Sequence, residues 1–165
     1  MSASAPSVTI VMPVYNEVPD AQLDSLTPRI KSLLGLLRRS DELILVDGGS
    51  ADASWPALQK LAELPQVVSI QSAKGRARQM NAGAAQAKGK ILLFLHADTE
   101  MGKAAWFEFL EKAAAHQDSL LWGRFNVRIV GASKWLPMVA WFINKRSRFS
   151  KICTGDQALF VGREL

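Results

Sequence analysis

Four short apolar runs, each ending in a polar signature and separated by segments of helical period, constrain this chain more than any other feature. Residues 8–14 end in Pro13-Val14-Tyr15-Asn16-Glu17, 43–46 in Asp47-Gly48-Gly49-Ser50, 67–71 in Ser72-Ala73-Lys74-Gly75-Arg76, and 92–95 in His96-Ala97-Asp98-Thr99. From position 23 onward Leu26, Ile30, Leu33, Leu34 and Leu37 recur at three and four, the spacing of one buried helical face, with regular helix expected from near Pro28. Residues 55–64 predict a second helix, with Ser54 as cap, Pro56 in the first turn and Trp55, Leu58 and Leu61 on one side. An alanine-rich third helix spans 76–87, and a fourth, carrying Trp106, Phe107 and Leu110, spans 104–115. The alternation predicts an α/β, Rossmann-like, mostly parallel sheet flanked by helices, joined by right-handed crossovers. All four polar signatures then meet at one rim, where open α/β sheets bind their ligands.

Beyond position 115 the alternation loosens into an expected strand at 120–129, an apolar helix at 133–144 and a short strand at 157–161. The sequence stops at Leu165 in what reads as a strand-to-helix transition, so a C-terminally truncated domain is expected. A length of 165 residues suits one domain, read as a tail at 1–7 and a single unit at 8–165. No apolar stretch reaches the roughly 20 residues a membrane helix needs, and the start lacks the charged and apolar regions of a signal peptide. A single cysteine, Cys153, fits a reducing compartment, so a cytoplasmic location is expected, with the thiol as a small buried side chain. Twenty Lys plus Arg against fifteen Asp plus Glu leave a net charge of +5, compatible with nucleic acid, acidic lipid or a phosphorylated small molecule. No aromatic-interleaved or zinc-finger pattern accompanies the basic residues, and nucleic acid is not expected as a partner.

Each signature admits two readings. Asp47-Gly48-Gly49-Ser50 is either a ligand loop or a turn in which Ser50 or Asp52 caps the following helix. Arg76 and Arg78 open a helix whose N-terminus favours anions, an unfavourable placement unless an anionic ligand sits there; solvated arginines are the alternative. His96 is either a satisfied buried histidine or a ligand. Asp98 directly follows an apolar run, which costs free energy unless the carboxylate is solvated, paired or bound to a cation. Oxygen ligands suit Mg2+ or Mn2+, and the neighbouring imidazole shifts the preference towards Mn2+. The apolar segment 135–143, flanked by Lys134, Lys145, Arg146 and Arg148, reads first as a helix covering the sheet or a dimer contact. Its tryptophans beside cations also fit peripheral membrane contact through 134–148.

Taken together and in order, these motifs resemble the family 2 nucleotide-sugar glycosyltransferases, which have an A-type nucleotide-binding fold. The resemblance is clearest over 8–98, where Val8-Thr9-Ile10-Val11-Met12-Pro13-Val14-Tyr15-Asn16-Glu17 and Val46-Asp47-Gly48-Gly49-Ser50-Ala51-Asp52 look like the family's first two strand ends. The stretch Gly75 to Gly83, His96-Ala97-Asp98-Thr99, Gly123-Arg124-Phe125 and Thr154-Gly155-Asp156-Gln157-Ala158-Leu159-Phe160 resemble an arsenosugar-biosynthesis-type subgroup. The resemblance implies a nucleotide-sugar-binding half at 8–99 and the start of an acceptor-side half at 100–165. It implies that Pro13, Tyr15 and Glu17 frame the nucleotide, that Asp47 with Gly49 meets the base, and that Arg76 or Arg78 approaches the base or diphosphate. Asp98 stands where the family's D-x-D motif has its last, metal-binding acid, and His96 replaces the first. The family's late Glu-Asp pair has no counterpart before Leu165, so the usual catalytic base is expected beyond it; Asp156, the one late carboxylate in a motif, is a candidate base, an acceptor contact or a turn residue. The implied activity is inverting transfer from a UDP-sugar, with Mn2+ or Mg2+, to an unknown acceptor hydroxyl. The alternative is a non-catalytic nucleotide-sugar-binding or membrane-peripheral module. A dinucleotide oxidoreductase is disfavoured because no G-x-G-x-x-G follows the first run.

Overall fold

The computed structural model describes residues 7–20, 24–115, 122–150 and 157–163. Strands β1 (Val8–Val14), β2 (Glu42–Asp47), β3 (Val67–Gln71) and β4 (Ile91–Phe94) alternate with helices α1 (Leu26–Leu34), α2 (Ser54–Leu61) and α3 (Arg76–Gln86). They are followed by α4 (Lys103–Ala115), β5 (Trp122–Arg124), α5 (Leu136–Ser150) and β6 (Leu159–Gly162). The six-stranded sheet runs β3-β2-β1-β4-β6-β5. Its first four strands are parallel, whereas β6 pairs antiparallel with both β4 and β5. The mostly parallel α/β sheet expected from the sequence is therefore present.

The central strands are buried on both faces, as parallel sheets require. Val8, Ile10, Met12 and Val14 of β1 point to one side, where α1, α2 and α4 supply Ile30, Leu58, Trp106 and Phe109. Val11, Ile44 and Val46 point to the other, against the small residues Ala82 and Ala84 of α3. Small side chains let α3 lie close to the sheet: a Cβ added at Gly83 would sit 2.4 Å from Val11 Cγ1 and 3.0 Å from Val46 Cγ2. Gly83→Ala would gain about 1 kcal/mol of helix propensity, but overpacking costs about 1–3 kcal/mol. Val11 is fully buried and stiff at χ1, so it has nowhere to yield. Thermal unfolding of Gly83→Ala should show a lower midpoint; an unchanged or raised one would mean that α3 lifts off the sheet freely.

Several boundaries differ from the sequence expectation for identifiable reasons. Helix α1 starts before Pro28 because Asp24 Oδ1 accepts the N–H groups of Leu26 and Thr27 at 3.0 and 2.9 Å, an N-capping geometry. Burial works against the Asp24 carboxylate, but hydrogen bonds from Thr27 and Leu26 outweigh it and hold its pKa below the usual value. The cap's contribution is thus complete above the unfolded-chain value of 3.8 and is lost only as pH falls through the lower folded value. Ser54 does not cap α2 but lies within it, and its Oγ accepts the Glu17 and Val18 N–H groups at 2.9 and 3.1 Å.

Over the described residues the strand expected at 120–129 ends with β5 at Arg124, and Asn144 of α5 takes over the backbone of Val127. Its side chain accepts the Val127 N–H and donates to the Val127 carbonyl, each at 2.9 Å. Helix α5 starts later than expected and continues beyond Asn144 to Ser150. Buried Gln157 joins it from the β6 side by donating to Ser147 Oγ at 3.0 Å. The expectation that α5 is buried over the sheet is overturned: Trp135, Trp141, Phe142 and Phe149 are all more than half exposed. No described helix is long and apolar enough to cross a membrane. Cys153 lies outside the described residues.

Candidate functional site

The strand order reverses between β1 and β4, since β2 and β3 continue on one side of β1 whereas β4 lies on the other. A crevice opens at such a switch point, outside the C-terminal strand ends. Here it is a cavity of about 270 Å³ built from three segments. Pro13 to Glu17 leave β1, Lys74 to Arg76 lead into α3, and His96 to Asp98 follow β4. Three of the four polar signatures therefore supply its lining, which includes the expected Pro13, Tyr15, Glu17, Arg76, His96 and Asp98.

The fourth signature supports this wall from behind. Asp47 is fully buried, and its carboxylate accepts the N–H groups of Gly49 and Ser50 at 3.0 and 3.1 Å, with the Gln71 amide at 3.3 Å. It is not among the residues lining the cavity, and the bonds it accepts close the turn that follows β2. Gly49 adopts φ +80° in this turn, a conformation that suits glycine, and it is exposed. The same loop latches the segment after β1. Asn16 N–H donates to Ser50 Oγ at 2.9 Å, Val18 N–H to Asp52 Oδ2 at 3.0 Å, and Asn16 Oδ1 accepts from Ala51 at 2.9 Å. Asn16 itself sits at φ 54°, in the left-handed region that Asn tolerates. The chain between Val14 and Val18 is thereby fixed by side chains where no strand partner remains.

Two residues that the sequence did not single out organise the cavity. Gln79 is buried in α3, lines the cavity, and donates from Nε2 to the carbonyls of Val14 and Val46, both at 2.8 Å. It joins the ends of β1 and β2 to the first turn of α3. Arg29 of α1 donates from Nη1 to the Ala97 carbonyl at 2.9 Å and from Nε to the Ser25 carbonyl at 3.1 Å. The turn between His96 and Asp98 is thus tied to α1 and closed by Thr99 N–H on the His96 carbonyl at 3.0 Å. A positive residue four positions after a serine on a helix is common, and nothing local foretells a partner 68 residues away.

The electrostatic character of the cavity is divided. Lys74 Nζ donates to Tyr15 Oη at 3.0 Å and lies 4.2 Å from the ring centroid, so the cation is held against the aromatic wall. Arg76 opens α3, whose first turn contains no acid, placing a guanidinium beside the positive end of a helix. Arg78 is exposed and outside the lining. At the opposite wall His96 is buried, whereas Asp98 is exposed and its Oδ1 accepts only a long 3.3 Å bond from Thr99 Oγ1 among those described.

A divalent cation fits this wall only in part. No group of three or more His, Cys, Asp or Glu that could hold a metal exists among the described residues. One exposed carboxylate suffices for a cation that completes its sphere with phosphate oxygens and water, which is the habit of Mg2+. Asp156 lies outside the described residues.

The comparisons with known proteins agree with this fold. The model of glycosyl transferase family 2 matches residues 9–163. An undecaprenyl-phosphate 4-deoxy-4-formamido-L-arabinose transferase of Pseudomonas paraeruginosa (strain PA7) is 32% identical over 132 residues, covering 78% of this chain and 38% of that protein. The chain thus spans less than half the length of this relative. Among solved structures, a mannosyltransferase of Pyrobaculum calidifontis in complex with GDP-Man and Mn2+ superimposes with a TM-score of 0.66 at 20% identity, over 97% of this chain and 45% of that one. TarS of S. aureus in complex with UDP-GlcNAc gives a TM-score of 0.60 at 19% identity, over 78% of this chain and 37% of that one. With a family match that runs over nearly its whole length, the chain belongs to glycosyl transferase family 2.

Proposed function

We propose that the cavity binds a nucleoside-diphosphate sugar, with UDP as the nucleotide, and that the chain carries the donor side of a sugar transfer to an acceptor hydroxyl. The observation that carries this reading is the meeting, at one switch point, of a cationic wall at the start of α3 with the exposed carboxylate of Asp98. A diphosphate needs both, cations for its oxygens and a carboxylate for the divalent ion it brings. Family membership and the nucleotide-sugar complexes of the two similar structures support the same assignment.

Within it, Pro13, Tyr15 and Glu17 frame the nucleotide, and Arg76 with Lys74 faces the diphosphate. Asp47 and Gly49 act on the base side through the turn that braces this segment, and Arg78 acts from outside the lining. Asp98, with His96 beside it, would hold Mn2+ or Mg2+, which supplies charge stabilisation to the departing diphosphate. In the transfer, the bond from the acceptor oxygen to the anomeric carbon forms as the bond from that carbon to the diphosphate breaks, and its electron pair leaves with the diphosphate. Attack from the opposite face inverts the configuration. The proton of the acceptor hydroxyl goes to a carboxylate, for which we assign Asp156.

A binding module without turnover is a second reading, favoured by one observation: among the residues lining the cavity only Glu17 and Asp98 carry carboxylates. A thermal-shift panel tests donor binding in either case. At a hundredfold excess over its dissociation constant, UDP or a UDP-sugar should stabilise the fold by about 2.7 kcal/mol, roughly 5–10 °C for a domain of this size. The shift should grow when Mn2+ is added. A folded sample that no nucleoside diphosphate stabilises would remove the donor-site assignment, and stabilisation without donor hydrolysis would favour the binding module.

A further inference from the structure

Helix α5 carries an apolar stripe that faces away from the protein, and the sequence around it is basic without a single acid. Trp135, just before the helix, is followed by Met138 and Val139 at three and four, by Phe142 at seven and by Phe149 seven further on, which places them on one helical face, and all are exposed. The opposite side of the helix holds buried Ala140 and Ser147 and the Asn144 amide that grips Val127. The helix is therefore anchored through its polar face, with its large apolar residues outward, the reverse of an ordinary surface helix. Between Asp118 and Asp156 the chain contains seven Lys and Arg and no Asp or Glu, more than the whole net excess of +5. Lys145 Nζ lies 5.4 Å from the ring of Trp141 and 5.9 Å from that of Phe149, so positive charge lies beside the exposed aromatics.

We infer that α5 docks the chain on an anionic lipid bilayer, lying in the plane of the interface. Trp and Phe enter the headgroup boundary while Lys134, Lys145 and Arg148 meet lipid phosphates. Length excludes spanning: 15 residues make a helix of about 22 Å, against a hydrocarbon core of about 30 Å. Charge decides between a bilayer and a second copy of the chain. A symmetric dimer through this face would bring two acid-free basic surfaces together, and like charges disfavour that contact. An anionic surface offers what the stripe lacks. The inference is independent of the donor site, since none of these residues lines the cavity.

Co-sedimentation of the chain with vesicles of phosphatidylglycerol and phosphatidylethanolamine tests it, with vesicles of phosphatidylcholine alone as comparison. Binding to the anionic vesicles is expected, weakening as salt screens the charges. Replacing Lys134, Lys145 and Arg148 together by Gln should weaken it on the order of a hundredfold, from roughly fivefold per cation. Phe142→Glu, on an exposed position that leaves the fold intact by circular dichroism, should abolish it. Equal binding to both vesicle types would overturn the electrostatic assignment. Absence of vesicle binding, together with a concentration-dependent dimer that Phe142→Glu dissolves in sedimentation equilibrium, would give the face to a second copy.

Discussion

Replacing Asp98 by asparagine is expected to reduce sugar transfer on the order of a hundredfold to a thousandfold while shifting stability by no more than about half a kcal/mol. The two halves of this expectation have separate causes. Asp98 is exposed in a turn whose backbone is fixed without its carboxylate, by Arg29 on the Ala97 carbonyl and by Thr99 N–H on the His96 carbonyl. Its one described side-chain contact, the 3.3 Å bond from Thr99 Oγ1, is at the weak end of the range. The fold therefore loses little. Among the described lining residues Asp98 is the carboxylate on the β4 side of the cavity, and the proposed hold on a divalent ion at the leaving diphosphate would go with it. The asparagine variant should also lose the additional stabilisation that Mn2+ gives to the UDP-bound protein. A variant that keeps full activity and full Mn2+ enhancement would move the cation to other residues.

Asp156→Asn is expected to slow transfer by roughly a hundredfold to ten-thousandfold, the usual contribution of a positioned general base, with donor binding unchanged. The assignment follows from the chemistry of the acceptor step. A hydroxyl attacking the anomeric carbon must lose its proton, and we propose the two carboxylates that line the cavity for other roles, Asp98 for the cation and Glu17 for the nucleotide segment. In the sequence Asp156 directly precedes Gln157, whose buried amide donates to Ser147 Oγ of α5. A base lost without loss of binding should show as lower kcat at nearly constant donor KM, with a pH profile that loses its acidic limb. Full transfer in Asp156→Asn would place the base elsewhere.

The parts of this molecule that were legible in the sequence are those governed by period and punctuation. The doubly buried strand β1 and the Ala-rich face of α3 announce themselves as a continuous apolar run and a stretch of small residues. A polar signature after each parallel strand then suffices to predict a shared rim, and six of the expected residues do line one cavity. Side chains that act across long separations were not legible. Gln79 reads as an ordinary helical polar residue until its amide is seen between the carbonyls of Val14 and Val46. Arg29 gives no sign of Ala97, and Asn144 gives none of Val127. The same blindness explains why β5 was expected to be longer: a strand-like composition was satisfied by a helix side chain instead of a neighbouring strand. Asp47 shows the limit of motif reading in another way, since the residue lies where expected but spends its carboxylate on its own turn.

If a nucleoside diphosphate binds in the switch-point cavity, titration with UDP and Mg2+ followed by amide chemical shifts should give the largest saturable changes at Tyr15, at Lys74 to Arg76 and at His96 to Thr99, with α5 unaffected. Changes confined to α5 or to the far edge of the sheet, with those three segments silent at saturation, would contradict this placement.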